Sequence, residues 1–243
     1  MAGIDSSIYR CKLTGLGSIC TSVATIAKDP IPKCMVPIKG RPLLSWWMDL
    51  FERHNISDVL INTHYLPEPV RNFICFYNRQ GHKVKIHESY EPVLLGSAGT
   101  LRANKKFVES EGSFLICYAD NLTNANLSQV VIRHEQVKPV LTMGLFHTNN
   151  PAGCGIATVN EKHMITEFIE KPKHPVSNLA NAGIYVAGQE IFDYIPSTKD
   201  EVDMGKDVLP LLTGKMAGFE IKDYLLDIGT MGNYQKAQEE WQG

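Results

Sequence analysis

FLICYAD, residues 114–120, is a short apolar run that ends in an aspartate. A run of this length and polarity is typical of a strand that is buried on both faces of a sheet. Similar runs recur along the chain and alternate with amphipathic, helix-like segments, which predicts an α/β protein with a mostly parallel sheet flanked by helices. The predicted strands are residues 8–13, 58–62, 84–87, 114–118, 140–146, 155–159, 165–169, 182–186, 218–221 and 224–228, and the predicted helices are 42–55, 67–79, 98–107, 127–136, 205–212 and 233–241.

Residues 152–186 interrupt this alternation, because three strand-like pieces follow one another with only short loops between them. The pattern predicts a small antiparallel insertion near the far end of the sheet. A chain of 243 residues without repeats or a Ser/Gly-rich linker is expected to form one domain, residues 1–243.

The composition excludes several classes of protein. A formal net charge of −2 provides no long-range positive field, so neither nucleic acid nor a membrane surface is an expected partner. The six cysteines form no Cys-x-x-Cys pair, and Cys75 and Cys117 lie in apolar runs typical of buried thiols. With no apolar leader or spanning segment, the expected location is the cytoplasm.

Two segments near the N-terminus are suited to binding phosphate. The turn TGLGS, residues 14–18, can bring backbone N–H groups against a phosphate, although two such glycines also occur in ordinary tight turns. Lys33 stands in a segment restricted by Pro32 and Pro37, which would suit a fixed ligand for a polyphosphate or simply a rigid surface turn.

Asp120 and Asp227 each end an apolar run, FLICYAD and YLLD. Carboxylates at the carboxyl ends of strands in an α/β sheet lie where ligands bind, and two of them in one crevice can hold a Mg²⁺ that bridges substrate phosphates. The alternative is that each aspartate caps the next turn or helix.

Two further groups of small and polar residues are candidates for ligand binding. GSAGT, residues 96–100, would allow close approach of a base or ribose, or else Ser97 caps the helix that follows. Glu170, Lys171 and Asn181 flank a loop and offer a carboxylate, an ammonium and an amide to a phosphorylated, hydroxyl-rich molecule, although charged loop residues are usually only solvated.

Read in order, TGLGS, PKCMVPIKGRPLL, LLGSAGTL, FLICYADNLT, FIEKP, NLANAGIYV and YLLDIGT resemble the sugar-1-phosphate nucleotidyltransferases, also called nucleotide-sugar pyrophosphorylases. The match spans nearly the whole chain and is most similar to bacterial mannose-1-phosphate and heptose-1-phosphate guanylyltransferases. The resemblance implies a Rossmann-like nucleotidyltransferase fold and an enzyme that makes an NDP-sugar and pyrophosphate from an NTP and a sugar 1-phosphate, with Mg²⁺. GTP is the favoured nucleotide, and a homodimer is possible.

The resemblance also implies roles for individual residues. Lys33, Asp120, Lys171 and Asp227 would be catalytic, and the two aspartates would hold Mg²⁺. Glu170, Lys171 and Asn181 would bind the sugar phosphate. The nucleotide would contact Leu13, Gly15, Gly17, Lys33, Gly96 and Gly99.

One departure from the family pattern bears on activity. Ile19 stands where the family usually has an arginine that grips the triphosphate, and isoleucine supplies no donor. A catalytically impaired homologue that binds a nucleotide sugar is therefore the main alternative to an active enzyme. A cytidylyl-, uridylyl- or thymidylyltransferase of the same fold is another.

Overall fold

The computed structural model describes the backbone of residues 9–14 and the whole of residues 31–243. Five α-helices and thirteen strands, with several short 3₁₀ or π turns, make up this part of the chain. The strands are β1 Tyr9–Thr14, β2 Pro37–Ile38, β3 Arg41–Pro42, β4 Ile56–Thr63, β5 Lys85–Tyr90, β6 Ser113–Tyr118, β7 Asn121–Thr123, β8 Leu141–His147, β9 Gly155–Val159, β10 Ile165–Glu170, β11 Leu179–Gly188, β12 Met216–Glu220 and β13 Leu225–Asp227. The helices are α1 Leu43–Arg53, α2 Pro67–Arg79, α3 Gly96–Ala103, α4 Leu127–Val137 and α5 Met231–Glu240.

Nine strands form one mixed sheet. β6, β1, β4 and β5 are neighbours in that order and run parallel, whereas β11 pairs antiparallel with β6 on the other side. β11 also pairs antiparallel with β8, and β8 pairs parallel with β12. The predicted α/β class and mixed, mostly parallel sheet are confirmed.

Each predicted strand that falls in the described residues is present, but the antiparallel region differs from expectation. β9 and β10 form an antiparallel hairpin at the sheet edge, as predicted. β11 does not lie at the far end, because it pairs with β6 in the middle of the sheet. Its position joins the parallel strands to the antiparallel ones.

Two apolar clusters, one built around α1, α2 and α4 and the other around α3 and the turns at 189–212, form the core. The residues of β6 alternate between them: Leu115 and Cys117 belong to the first, Phe114 and Ile116 to the second. This alternation is the period of a strand buried on both faces. The apolar run FLICY therefore divides its side chains between both halves of the core.

Two smaller expectations need correction. Residues 205–212 form a π turn at Met204–Val208 and a 3₁₀ turn at Leu209–Leu212 instead of one α-helix, and Pro210 lacks the N–H that a continuous helix would need. Cys75 is exposed, because its apolar run is helical and Ile74 and Tyr77 occupy the buried face of α2. Cys117 is buried as expected.

The predicted strand at 224–228 is β13, and it does not join the main sheet. It pairs antiparallel with β7 in a separate two-stranded ribbon, so that Asp227 faces Asn121. Asp227 therefore reaches the carboxyl edge of the parallel strands from this ribbon, and the expectation that it ends a strand of the same sheet as Asp120 is wrong.

Candidate active site

Asp120 and Asp227, which are far apart in sequence, are neighbours in the structure. Asp120 lies between β6 and β7, and the N–H of Ile228 donates a hydrogen bond to the Asp120 carbonyl at 2.9 Å. Pairing of β13 with β7 extends this contact along the ribbon. Both aspartates line a cleft of about 290 Å³ at this edge of the sheet.

Lys33 projects into the same region from a 3₁₀ turn at Lys33–Met35. The N–H groups of Met35 and Val36 close this turn on the carbonyls of Pro32 and Lys33, at 2.8 and 3.1 Å. The Lys33 ammonium lies 3.2 Å from Oδ2 of Asp120, and both side chains are about four-fifths buried, with relative exposures of 18% and 20%. The rigid turn thus holds a cation against the acidic pair.

The side chain of Asp227 is affected both by burial and by the charge of Asp120. Its pKa is raised, first by loss of water around the group and then by the negative charge of Asp120. Lys33, Lys171 and the backbone N–H of Gly229 act in the opposite direction. The hydrogen bond from the Gly229 N–H shows that Asp227 also caps the turn that follows it. The Asp227 side chain is nevertheless exposed and lines the cleft.

Glu170 and Lys171 follow one another at the end of β10 and line the same cleft. Lys171 has a left-handed backbone, with φ of 48°, and its N–H donates to the Cys154 carbonyl at 3.1 Å. This conformation is uncommon for a residue with a side chain and often occurs at functional sites. The pKa of Glu170 is raised by burial, although the charge of Lys171 opposes the shift.

Asn181 also lines the cleft, but its side chain is already used within the protein. Its Oδ1 accepts the N–H of Gly183 at 2.9 Å, and its Nδ2 donates to the Tyr185 hydroxyl at 2.6 Å. Both bonds lie where the pairing of β11 with β8 shifts register, between Asn181 and Tyr185. The observed contacts therefore make Asn181 a brace of this irregular strand, and its predicted contact with sugar hydroxyls stays a prediction.

The glycine turn at the start of α3 packs against a distant segment of the chain. Gly96 has φ of 74°, and a Cβ there would come within 2.6 Å of the Val202 carbonyl oxygen. That oxygen accepts the N–H groups of Ala98 and Gly99, at 2.9 and 3.1 Å. These contacts account for the small residues, and the predicted contact of Gly96 and Gly99 with a base stays a prediction.

Ser97 does not cap α3, which was the alternative for this turn. The N-cap residue of α3 is Leu95, and no side chain caps that end of the helix. The Ser97 Oγ instead accepts the N–H of Met204 at 2.8 Å and donates to Oδ2 of Asp203 at 3.3 Å. Ser97 therefore fixes the 202–204 segment beside the cleft.

Comparison with known proteins agrees with this architecture. The family model "Nucleotidyl transferase" matches residues 27–242. The chain belongs to this nucleotidyl transferase family. The resemblance found in the sequence motifs is thereby confirmed.

One relative covers almost the whole length of this nucleotidyl transferase. D-glycero-α-D-manno-heptose 1-phosphate guanylyltransferase of Aneurinibacillus thermoaerophilus is 30% identical, over 94% of this chain and 95% of its own. UTP–glucose-1-phosphate uridylyltransferase of Synechocystis is 27% identical over 85% of this chain and 57% of its own length. The chain spans about half the length of several curated relatives that it matches.

Solved structures share the fold. HddC from Yersinia pseudotuberculosis, crystallised with GMP-PN, superposes with a TM-score of 0.79, covering 97% of this chain and 100% of its own, at 22% identity. At that level of identity the likeness establishes the fold alone. The expected nucleotidyltransferase fold is therefore confirmed.

Several residues that line the cleft of this nucleotidyl transferase were not found by sequence reasoning: Tyr118, Asp203, Gly155 and Gly205. Tyr118 and Asp203 have no motif signal, because one lies at the end of an apolar strand and the other in an acidic loop. Their assembly depends on packing between segments that are distant in sequence.

Some site residues predicted from the sequence lie outside the described part of the chain. Gly15, Gly17 and Ile19 belong to residues 15–30, and Leu13 is described only as backbone within β1. Their predicted contacts with the nucleotide stay predictions. None of the helices in the described part of the chain has the length and apolar character that crossing a bilayer requires.

Proposed function

We propose that this chain transfers a nucleotidyl group from a nucleoside triphosphate to a sugar 1-phosphate, giving an NDP-sugar and pyrophosphate. The observation that carries the proposal is that Asp120 and Asp227 line one cleft at the carboxyl ends of β6 and β13, and that the Lys33 ammonium contacts Asp120 there. Family membership supports the same reaction class.

The acidic pair fits a divalent cation in its donor chemistry. The pKa of Asp227 is raised by burial and then by the negative charge of Asp120, and a shared cation would stabilise the ionised form of Asp227. Among residues 31–243 no cluster of three or more metal-binding side chains is present. Mg²⁺ commonly takes one or two carboxylates and completes its shell with phosphates and water, which matches this donor set.

We assign the remaining roles by charge and position. When bound, Mg²⁺ on Asp120 and Asp227 would neutralise phosphate charge in the reaction. Lys33 binds the nucleotide phosphates from one side, and Lys171 neutralises the sugar phosphate from the other. An oxygen of the sugar phosphate attacks the α-phosphorus as pyrophosphate leaves, so the protein's own contribution is positioning and charge compensation.

Glu170 orients the sugar in this proposal. Its raised pKa reflects a carboxylate that lies in a partly dry wall of the cleft, where it can accept hydroxyl groups. GTP and a mannose- or heptose-type sugar 1-phosphate are the preferred substrates, supported by the guanylyltransferase that matches nearly the full chain. Relatives named for uridylyl transfer make UTP with a hexose 1-phosphate the next pair to test.

The reaction is tested by pyrophosphate release from a panel of nucleoside triphosphates and sugar 1-phosphates with Mg²⁺. We expect turnover with at least one pair, and Asp227→Asn should lower kcat by roughly 100-fold or more, because half of the anionic metal site is lost. Asp193→Asn, an exposed aspartate on the turn at Gln189–Tyr194, is the matched control and should retain activity. No turnover by folded protein with any pair would contradict the proposal.

An impaired, ligand-binding homologue is the second candidate, and Ile19 is the observation that favours it. This candidate predicts that a nucleotide sugar stabilises the protein against heat while no pyrophosphate forms. Ile19→Arg should then raise or create activity, since arginine offers several donors to a phosphate. An unchanged rate in folded Ile19→Arg would show that position 19 does not act on the phosphates.

A further inference from the structure

The cleft is lined by two groups of acidic side chains, Asp120 with Asp227 and Glu170 with Asp203, and the second group is called here the Glu170–Asp203 end. Lys33 contacts Asp120. Lys171 lines the cleft and acts electrostatically on both Glu170 and Asp227, and in the proposed reaction its charge is taken up by the sugar phosphate. Lys206 acts electrostatically on Glu170 but is exposed and does not line the cleft.

Glu170 is held in a narrow slot between two glycines. A Cβ at Gly155 would lie 2.6 Å from its Oε2, and a Cβ at Gly205 would lie 2.7 Å from the same atom. No hydrogen bond from the described residues to the Glu170 carboxylate is present, and Asp203 is one of the charges that raise its pKa. The carboxylate is therefore confined, and its acceptor oxygens remain available to a ligand.

Asp203 is fixed beside it by two donors. The N–H of Lys206 donates to Oδ1 at 2.9 Å, and Ser97 donates to Oδ2 at 3.3 Å. Ser97 is itself hydrogen-bonded to the hydroxyl of Tyr118, which also bonds that of Tyr185. Because each Asp203 oxygen has one donor, the side chain is held in place and each oxygen can still accept another hydrogen bond.

We propose that Asp203, together with Glu170, selects the sugar by charge. Resting on the proposed function, this inference assigns the substrate class as sugar 1-phosphates that present hydroxyl groups or an amine at the Glu170–Asp203 end. A sugar that carries a carboxylate or a second phosphate at that end is rejected.

The physical reason is repulsion in a partly dry site. A third negative charge placed near two confined carboxylates is repelled much more strongly than it would be in bulk water. Hydroxyl groups instead donate to the free lone pairs, and an ammonium is attracted. Neither carboxylate can turn away, since the glycine slot confines one and the Ser97 and Lys206 donors hold the other.

The experiment compares three substrates with the same nucleoside triphosphate and Mg²⁺: a neutral hexose 1-phosphate, a hexosamine 1-phosphate and a hexuronic acid 1-phosphate. The wild-type kcat/KM for the uronic acid should be at least about 10-fold below that for the neutral sugar. Asp203→Asn should raise the ratio of uronic acid to neutral sugar by about 10-fold, because asparagine keeps the cap and loses the charge.

Two variants separate charge from structure. Asp193→Asn removes one negative charge on the distant turn and should leave the ratio unchanged. Ser97→Ala removes a donor to Asp203 but neither carboxylate, so rejection of the uronic acid should persist even if overall activity falls. Where Asp203→Asn does not fold, Glu170→Gln removes the other carboxylate charge and should raise the same ratio.

Equal use of the uronic acid and the neutral sugar by the wild type, or an unchanged ratio in folded Asp203→Asn, would overturn the inference. Turnover of none of the three sugars with any nucleoside triphosphate would count against the proposed function instead. In that case the same panel read by thermal stabilisation tests the charge selection, and equal stabilisation by all three sugars would overturn it.

Discussion

At the scale of single residues, the coupling between Asp120 and Asp227 can be measured directly. We expect Asp120→Asn to lower the pKa of Asp227, because the Asp120 charge is one of the causes that raise it. Lys33→Met should raise the same pKa further, since Lys33 opposes the shift. Carboxyl ¹³C NMR titration of Asp227 measures both changes, with Asp193→Asn as a control that leaves the titration unaltered. A pKa of Asp227 that is insensitive to Asp120→Asn would show that the two groups do not interact.

The same raised pKa sets the sign of a pH effect on cation binding. Asp227 must lose its proton to bind a divalent cation, so the dissociation constant for Mg²⁺ should increase as the pH falls through its raised pKa. The rise should begin at a higher pH than for an aspartate with the ordinary value of 3.8. Calorimetric titration of the protein with Mg²⁺ across pH measures this onset. An onset at the ordinary aspartate value would contradict it.

Charged residues at the ends of apolar runs could be predicted as site residues from the sequence. Residues that reach the site only because distant segments pack together could not. Asp120, Asp227 and Lys33 stood out because a carboxylate after a strand, or a lysine near a proline, has a local signature. Asp203 and Ser97 are 106 residues apart, so their contact depends on how α3 meets the turn at Met204–Val208. The backbone-bracing role of Asn181 likewise depends on the irregular pairing of β11.

At the scale of secondary-structure elements, the stability of α3 depends on the close contact between Gly96 and the Val202 carbonyl. We expect Gly96→Ala to lower the free energy of unfolding by about 1–2 kcal/mol for the left-handed backbone and by a further ~1–3 kcal/mol for crowding against the Val202 carbonyl. Gly81→Ala is a matched control, because both glycines have φ of 74° and a Cβ at Gly81 would meet nothing within 4 Å. Urea unfolding of both variants isolates the crowding cost, and equal losses of stability would show that Val202 can move.

Most strands and helices could be predicted because the hydrophobic pattern of each is contained within its own segment of sequence. The alternation of buried strands and amphipathic helices located β4 to β6 and β8 to β12, as well as all five helices, within a few residues. β2, β3 and β7 were missed, since strands of two or three residues are too short to show a period. The pairing of β13 with β7 was missed for the same reason, although it is this ribbon that brings Asp227 to Asp120.

At the scale of the whole molecule, ligand and metal should act together on stability, because the proposed site joins segments from many parts of the chain. Asp120, Lys171 and Asp227 line one cleft, and Lys33 contacts Asp120. A bound triphosphate with Mg²⁺ would balance these charges. At about 100 times its dissociation constant, such a ligand should stabilise the folded state by about 2.7 kcal/mol. For a chain of this size that corresponds to a rise in Tm of roughly 5–10 °C.

Differential scanning calorimetry with GTP, with and without Mg²⁺, measures this rise in Tm, which should be much larger when both are present. Asp227→Asn should lose the part of the rise that depends on Mg²⁺, whereas Asp193→Asn should keep it. A rise of equal size without Mg²⁺, or one that survives in Asp227→Asn, would mean that the acidic pair does not hold the cation.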